Sequence, residues 1–329
     1  MNWKNKHILV TGSGGFIASH LVEALVQRSA KVQAFIHYNS RADVGLLNHL
    51  NKDVLSEVEI IPGDLRDLAG IQQAMKGVDL VFHLGAIIAI PYSYLHPVEV
   101  VETNILGTLN VLLAARGNEV TRLIHTSTSE VYGTALHVPM DEQHPLQGQS
   151  PYSASKIGAD KLAESFYCSY SLPVVTVRPF NTYGPYQSAR AVIPTVISQA
   201  LTGSEMHLGN LETRRDFTYI TDTVAGFISA AEKEGVEGQV FNLGTGREVK
   251  IREIVEMVFK ITGRKLPVRQ DPTRMRPEKS EVMRLLSDNH KAGELLGWSS
   301  KVDLEHGLRK TIDWIRENLS LYNPNQYQK

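Results

Sequence analysis

Hydrophobic positions in the first half of the chain follow two alternating patterns. Short apolar runs at His7-Ile-Leu-Val10, Lys31-Val-Gln-Ala-Phe-Ile36, Ile60-Ile61 and Leu80-Val-Phe-His83 have the length of buried strands. Between them the apolar spacing becomes three and four, as in Ser19-His-Leu-Val-Glu-Ala-Leu-Val-Gln-Arg28, which places one face of a helix inward. Further helices are predicted at about 98–117 and 151–168, and Val174-Val-Thr-Val-Arg-Pro179 reads as an inner strand. This alternation through residue 178 predicts an α/β fold with a right-handed, doubly wound parallel sheet. Beyond it the pattern loosens, with Gly and Pro at 184–185, 203 and 209, which suits a smaller lobe covering a site. Val240-Phe-Asn-Leu-Gly244 again reads as a strand, so residues 215–242 are expected to return to the larger domain. The expected division is therefore residues 1–178 and 179–329, with the polar tail after Trp314 expected to fray.

The first strand runs directly into Thr11-Gly12-Ser13-Gly14-Gly15-Phe16-Ile17-Ala18 and then a helix. Strand, glycine turn and helix together form a dinucleotide cradle. Gly12 permits the tight turn, Gly14 and Gly15 let backbone amides approach a pyrophosphate, and the helix start contributes partial positive charge. Ala18 stands where glycine is usual, and a methyl there still allows helix and strand to pack. After the second strand a carboxylate normally holds the ribose of NAD. Here the residues are His37-Tyr-Asn39-Ser40-Arg41, with Asp43 too late. Ser40 and Arg41 suit a 2′-phosphate, whereas His37 and Asn39 suit a ribose hydroxyl, so these residues leave NAD and NADP both open. Asp64 and Leu65 are placed for the adenine edge, and Leu84-Gly85-Ala86 ends the fourth strand where bulk would block a cofactor. His83 reads as a core histidine.

The chemistry concentrates in Thr126-Ser-Thr128-Ser129-Glu130-Val-Tyr-Gly133 and Tyr152-Ser-Ala-Ser-Lys156. Tyr152 and Lys156 are four residues apart and share a helical face, and Pro151 suits the first turn. A phenol is a poor base near neutrality, but a neighbouring ammonium and a cationic nicotinamide ring favour its phenolate. Tyr152 is then expected to take a proton from a substrate hydroxyl while Thr128 hydrogen-bonds the same oxygen.

Thr11 to Ala18, the Thr128–Tyr152–Lys156 set and Arg178-Pro-Phe-Asn181-x-Tyr-Gly-Pro185 resemble the extended short-chain dehydrogenases/reductases, in the branch of nucleotide-sugar 4,6-dehydratases and epimerases. The resemblance covers nearly the whole chain. It implies a Rossmann domain with a smaller nucleotide-sugar-binding domain, and a homodimer paired through the helices at 98–117 and 152–170. It also implies that Arg215 and Arg276 hold the substrate's diphosphate and nucleoside, a role that suits the planar fork of arginine. The stretches Ile88-Ala-Ile-Pro91-Tyr92-Ser-Tyr94 and His144 to Asp160 resemble the legionaminic-type dehydratases of bacterial nonulosonic acid pathways. That closer likeness implies that Ile88, Pro91 and Tyr92 line a sugar pocket, with Asn181 nearby. The substrate it implies is UDP- or GDP-linked N-acetylglucosamine, with UDP preferred. Family likeness favours NAD, tightly bound and recycled.

Glu130 separates dehydratase from epimerase chemistry, since elimination needs a base at C5 once C4 is a ketone. Many dehydratases of the branch carry Asp-Glu here, whereas this chain has Ser129-Glu130. Either Glu130 makes both proton transfers, or a water on Ser129 relays one. A third alternative is a substrate that arrives as a 5,6-ene sugar. A 4-epimerase is a further alternative, and a non-catalytic dinucleotide sensor is an alternative of another class, although such proteins usually lose the Tyr or Lys.

Composition adds boundaries. The chain has 329 residues, 42% hydrophobic content and a net charge of −1, so it carries no electrostatic footprint for nucleic acid or an anionic membrane. No apolar signal core opens it, and no uninterrupted apolar run of membrane-span length is expected. The single cysteine, Cys168, excludes an intrachain disulfide, and no histidine pair has ligand spacing, so no metal is expected. A cytoplasmic enzyme is the expectation.

Overall fold

A computed structural model describes residues 1–322. The chain runs β1 (His7–Thr11), α1 (Phe16–Val26), β2 (Lys31–His37), α2 (Lys52–Ser56), β3 (Val58–Gly63), α3 (Leu68–Ala74) and β4 (Leu80–His83). It continues through α4 (Ile90–Leu95), α5 (Pro97–Val101), α6 (Gly107–Gly117), β5 (Arg122–Thr126), α7 (Pro151–Tyr170) and β6 (Val174–Pro179). The second half contains β7 (Asn181–Tyr183), α8 (Val192–Thr202), β8 (Met206–Leu208), β9 (Arg214–Tyr219), α9 (Ile220–Glu232) and β10 (Val240–Leu243). It closes with β11 (Glu248–Lys250), α10 (Ile251–Thr262), β12 (Val268–Gln270), α11 (His290–Leu296) and α12 (Leu304–Glu317).

Seven strands form one parallel sheet in the order β10-β6-β5-β4-β1-β2-β3, the doubly wound Rossmann arrangement. The order reverses between β1 and β4, so the carboxyl ends of these two strands open a crevice. Gly12 and Gly85 meet there.

The smaller lobe is built on a three-stranded sheet, β11-β9-β7, and a pair, β12-β8. Here one boundary differs from expectation. Only α9 and β10 return to the large sheet, whereas residues 215–219 lie in β9 and pair with β7 and β11. The buried carboxylate of Asp216 explains the placement: it accepts from the amides of Thr245, Gly246 and Ser287, binding β9 to the loops of the smaller lobe.

One further expectation is corrected. The segment after Trp314 stays helical to Glu317, and Tyr322 packs edge-on against Trp314 and donates to Gln187 O at 3.0 Å. The expected fraying is thus wrong as far as residue 322, and residues 323–329 lie outside the described part. Pro97–Gly117 forms a 21-residue helical stretch that is long and apolar enough by length and composition to cross a membrane, although Glu99, Glu102 and Asn104 break any uninterrupted apolar run within it. Part of that apolar surface is spent inside the protein, where Val100, Val111, Leu112, Ala114 and Ala115 are fully buried. A π turn at Glu102–Leu106 interrupts the stretch and turns Asn104 inward.

Candidate active site

The glycine cradle is shaped by close backbone approach. Gly12 has φ +71°, and a Cβ there would stand 2.7 Å from Gly85 Cα. A Cβ on Gly85 would in turn meet Leu65 Cδ1 at 2.7 Å. Gly15 is the N-cap of α1, and no side chain caps that helix, so its first amides, from Phe16 and Ile17 onward, face the crevice side of the turn. Leu46 N donates to Gly14 O at 3.0 Å, which lays the following loop over the turn. Ala18 is buried, so its methyl is accommodated. The amide-lined turn and the absence of Cβ atoms fit a dinucleotide's pyrophosphate.

Thr11 fixes the loop after β4. Its Oγ1 accepts from Gly85 N at 3.0 Å and donates to His83 Nδ1 at 2.8 Å, while His83 Nε2 donates to Thr108 Oγ1 at 3.0 Å. Thr108 passes its own proton to Asn104 O, so each donor in the chain has one acceptor. Burial pushes the His83 imidazolium far below its usual range, with His125 and Lys156 acting in the same direction. Asn104 clamps Ile87 through both its N–H and C=O and donates to Ser155 Oγ. Leu84 and Ala86, half-buried on either side of Gly85, are therefore held against the crevice.

The adenosine-side residues separate into two groups. His37 is exposed at the end of β2 and faces Asp64, whose carboxylate pairs with Arg66 at 2.6 Å. Asn39 instead builds a turn: its Oδ1 accepts from Arg41 N and Asp43 N, and its Nδ2 donates to Asp43 O. Ser40 and Arg41 are exposed on that turn, and Leu65 packs beneath Gly85 and Gly107.

The catalytic candidates converge from β5 and α7. A capping box between Ser150 and Ser153, followed by Pro151, starts α7 so that Tyr152 and Lys156 point inward. Thr128 caps the turn Ser129–Tyr132, with its Oγ1 accepting from Glu130 N at 3.2 Å and its hydroxyl meeting the Tyr152 phenol. Burial pushes the phenol well up, the charges of Glu130 and Asp160 push it further, and Thr128 draws it down. Lys156 is directed elsewhere than the i,i+4 spacing suggested: its Nζ donates to Thr126 O at 2.7 Å. In this geometry the ammonium braces the strand end. Burial lowers Lys156 itself to about 8. Glu130 lies 3.6 Å from Arg276, while Ser129 is buried.

Beside these groups a cavity of about 260 Å³ is lined by Pro91, Asn181, Arg215 and Arg276 among the expected residues. Arg190, Arg274 and Gln187 line it too; as isolated loop residues they gave no signal in sequence. Asn181 Oδ1 and Gln187 Oε1 are buried acceptors without a partner. Several arginines with orphan acceptors suit a diphosphate joined to groups that carry N–H or O–H donors. Ile88 and Tyr92 are not brought into this lining: Ile88 is 57% exposed, and Tyr92 OH donates to Glu99 at 2.5 Å because the chain turns at His96. A larger cavity, about 350 Å³, lies across α7, but its buried charges Asp160 and Arg178 are paired with each other. Among the described residues no group of three His, Cys, Asp or Glu side chains is placed to hold a metal ion.

Fold and site together define a dinucleotide-binding short-chain dehydrogenase/reductase with a polar substrate lobe. The profile of the family described as GDP-mannose 4,6 dehydratase matches residues 9–311. The dTDP-glucose 4,6-dehydratase of Streptomyces antibioticus is 32% identical over 323 residues, 97% of this chain and 95% of the relative. A crystal structure of dTDP-glucose 4,6-dehydratase from Streptomyces venezuelae with NAD bound superposes with a TM-score of 0.88 at 30% identity, covering 97% of this chain and all of the other. UDP-glucose 4-epimerase from Thermotoga maritima, solved with UDP-glucose, gives 0.86 at 31% identity, covering 95% and 99%. The chain belongs to the extended short-chain dehydrogenase/reductase family of nucleotide-sugar 4,6-dehydratases and epimerases.

Proposed function

We propose that the chain is a nucleotide-sugar 4,6-dehydratase acting on UDP-N-acetylglucosamine, or its GDP counterpart, with NAD held and recycled. The observation that carries this reading is Glu130: a carboxylate on the turn that also bears Thr128, facing the Tyr152 phenol on one side and Arg276 on the other. Reversible oxidation alone needs no such base. NAD is supported by the glycine cradle and by the NAD-bound relatives.

When bound, NAD supplies the hydride acceptor at C4 and later the donor at C6. Tyr152 takes the C4 hydroxyl proton, with Thr128 holding that oxygen. Glu130 removes the C5 proton, now acidified by the ketone, and delivers it to the departing C6 hydroxyl, which leaves as water. Serine is a poor acid, which favours Glu130 as the group that makes both transfers. The C5 carbon is then reprotonated, and the Tyr152 proton balances that demand. Arg215 and Arg276 hold the diphosphate.

The reading extends to a homodimer. Val98, Val101 and Leu106 on α5 and the π turn, with Tyr167 and Tyr170 on α7, are exposed apolar residues on adjacent helices. A place in bacterial nonulosonic acid synthesis, of the legionaminic or pseudaminic kind, is supported by the sequence likeness of residues 88–94 and 144–160, and the cytoplasm is its expected compartment.

Incubation of the purified protein with each sugar nucleotide, without added cofactor, tests the assignment by product mass. Loss of one water from either substrate supports it and identifies the nucleotide. Recovery as the 4-epimer overturns it. A second reading has its own observation, the serine in place of an acid at position 129: a 5,6-ene sugar enters, C4 is oxidised and C6 reduced. Turnover of that substrate alone, with both intact sugars recovered unchanged, would favour it.

A further inference from the structure

Four donors from three residues converge on one carboxylate that the proposed chemistry does not use. Asp160 lies on α7, one turn beyond Lys156 and two beyond Tyr152. Its Oδ1 accepts from His125 Nε2 at 3.0 Å. Its Oδ2 accepts from Ser127 Oγ at 2.7 Å and from Arg178 Nη2 and Nε at 2.9 and 3.2 Å. The residue is 4% exposed, and these partners hold its carboxyl at about 2 despite burial.

The donors come from the strands that carry the rest of the site. His125 and Ser127 flank Thr126, whose carbonyl receives the Lys156 ammonium, and Ser127 precedes Thr128. Two ties therefore join α7 to the end of β5, one through Lys156 and one through Asp160. Arg178, on β6, extends the second tie to Tyr132 OH at 2.9 Å, and Tyr132 closes the turn that bears Glu130. Thr128, Ser129 and Glu130 thus follow directly on a residue bonded to Asp160, and Tyr152 and Lys156 share its helix. A buried ion pair rarely adds net stability over apolar packing, so fixing geometry is the better physical account of its presence.

The charges around Lys156 point the same way. His83 from β4 and His125 from β5 are both pushed below the usual imidazolium range by burial. Arg178 from β6 is paired with Asp160. Glu130 on the β5 turn faces Tyr152 and the arginines Arg215 and Arg276. Asp160 is the carboxylate that favours the Lys156 ammonium.

We infer that Asp160 is a positioning residue for the C4 oxidation, clamping α7 to the ends of β5 and β6 so that Tyr152 stands against Thr128, and placing a negative charge beside Lys156. This rests on the activity proposed above, and its test keeps the two apart.

Asp160→Asn keeps the shape and removes the charge. The expected result is a kcat at least about tenfold lower with KM little changed, and an alkaline limb of the kcat profile moved about half a pH unit or more toward acid. A merely structural role would lower kcat without moving the limb. Independently of turnover, 13C-labelled lysine side chains, with Lys156 assigned through Lys156→Arg, report its titration midpoint by NMR; in Asp160→Asn it should fall by a similar amount while other lysines hold. Unchanged kcat and an unchanged midpoint overturn the inference. Should Asp160→Asn not fold, Asp160→Glu and Ser127→Ala decide: both keep the charge and loosen the clamp. They should lower kcat with the limb in place, whereas wild-type kcat in both refutes the clamp. A shifted Lys156 midpoint in a protein that turns over no sugar nucleotide would defeat the proposed activity and leave the charge effect of Asp160 standing.

Discussion

Lys156 Nζ donates to the carbonyl oxygen of Thr126 at 2.7 Å, tying the ammonium of α7 to the strand end that presents Thr128. Because burial lowers Lys156 to about 8, its positive charge is lost as pH rises through that value. Turnover should therefore fall on the alkaline side near pH 8. Lys156→Met should lower kcat by about 10²–10⁴, measured by initial rates across pH; a mutant profile with the same alkaline limb would mean that another group titrates there.

Glu130→Gln should abolish elimination while leaving substrate binding nearly intact. The expected loss in kcat is about 10²–10⁴, the usual worth of a positioned base. Product mass and deuterium uptake at C5 in heavy water check it together. Persistent C5 exchange in the variant would assign the base elsewhere.

Arg215 is buried against the cavity and Arg276 bridges the cavity to Glu130. Each charge-assisted bond to a phosphate is worth about 1.5–3 kcal/mol, so either change to Gln should weaken binding of a nucleoside diphosphate about ten- to hundredfold. Calorimetric titration with UDP and GDP measures this. Arg276→Gln should also lower kcat, because it removes the partner of Glu130, whereas Arg215→Gln should act mainly on KM.

Gly12→Ala places a methyl in the left-handed region at φ +71°, 2.7 Å from Gly85 Cα. The backbone strain alone costs about 1–2 kcal/mol, and the clash forces the loop after β4 away from the crevice. Thermal melting should show the loss of stability and dinucleotide titration a larger loss of affinity. Full NAD affinity in this variant would argue against the cradle.

His83 and His125 are kept neutral by burial, so their folded pKa values lie below the unfolded ones. Unfolded chains take up these protons near 6.5 and the folded protein only at lower pH, so acidification below 6.5 favours unfolding. Asp160 adds a second loss: its stabilisation, present above the ordinary carboxylate range, disappears as pH falls from about 4 toward about 2. In folded protein the ring resonances of His83 and His125 should titrate with midpoints below 6.5, His83 well below it, whereas titration of either near 6.5 would contradict the burial argument.

Much of this site was legible because its parts are local. Gly12 to Ala18 lie between one strand and one helix, and Tyr152 and Lys156 lie one turn apart. Tyr92 lies off the cavity's lining, its hydroxyl donating to Glu99 across the bend at His96, a contact that no motif encodes. Asp160 stayed silent inside a helical string, since its partners His125, Ser127 and Arg178 arrive from two other strands. The tail after Trp314 looked polar, yet Tyr322 finds Trp314 and the Gln187 carbonyl once the lobes are assembled.

The sequence by itself determined the parallel sheet, the glycine cradle and the Thr128, Glu130, Tyr152 and Lys156 set. Hydrophobic period, turn stereochemistry and helical spacing act over a few residues and need no knowledge of the rest of the chain. Only the tertiary structure decided that Lys156 braces Thr126, that Arg190 and Arg274 join Arg215 around one cavity, that β9 belongs to the smaller lobe, and that Asp160 ties helix to strands. Those outcomes depend on burial, which makes a charge seek its partner, and on the convergence of segments that are distant in the chain.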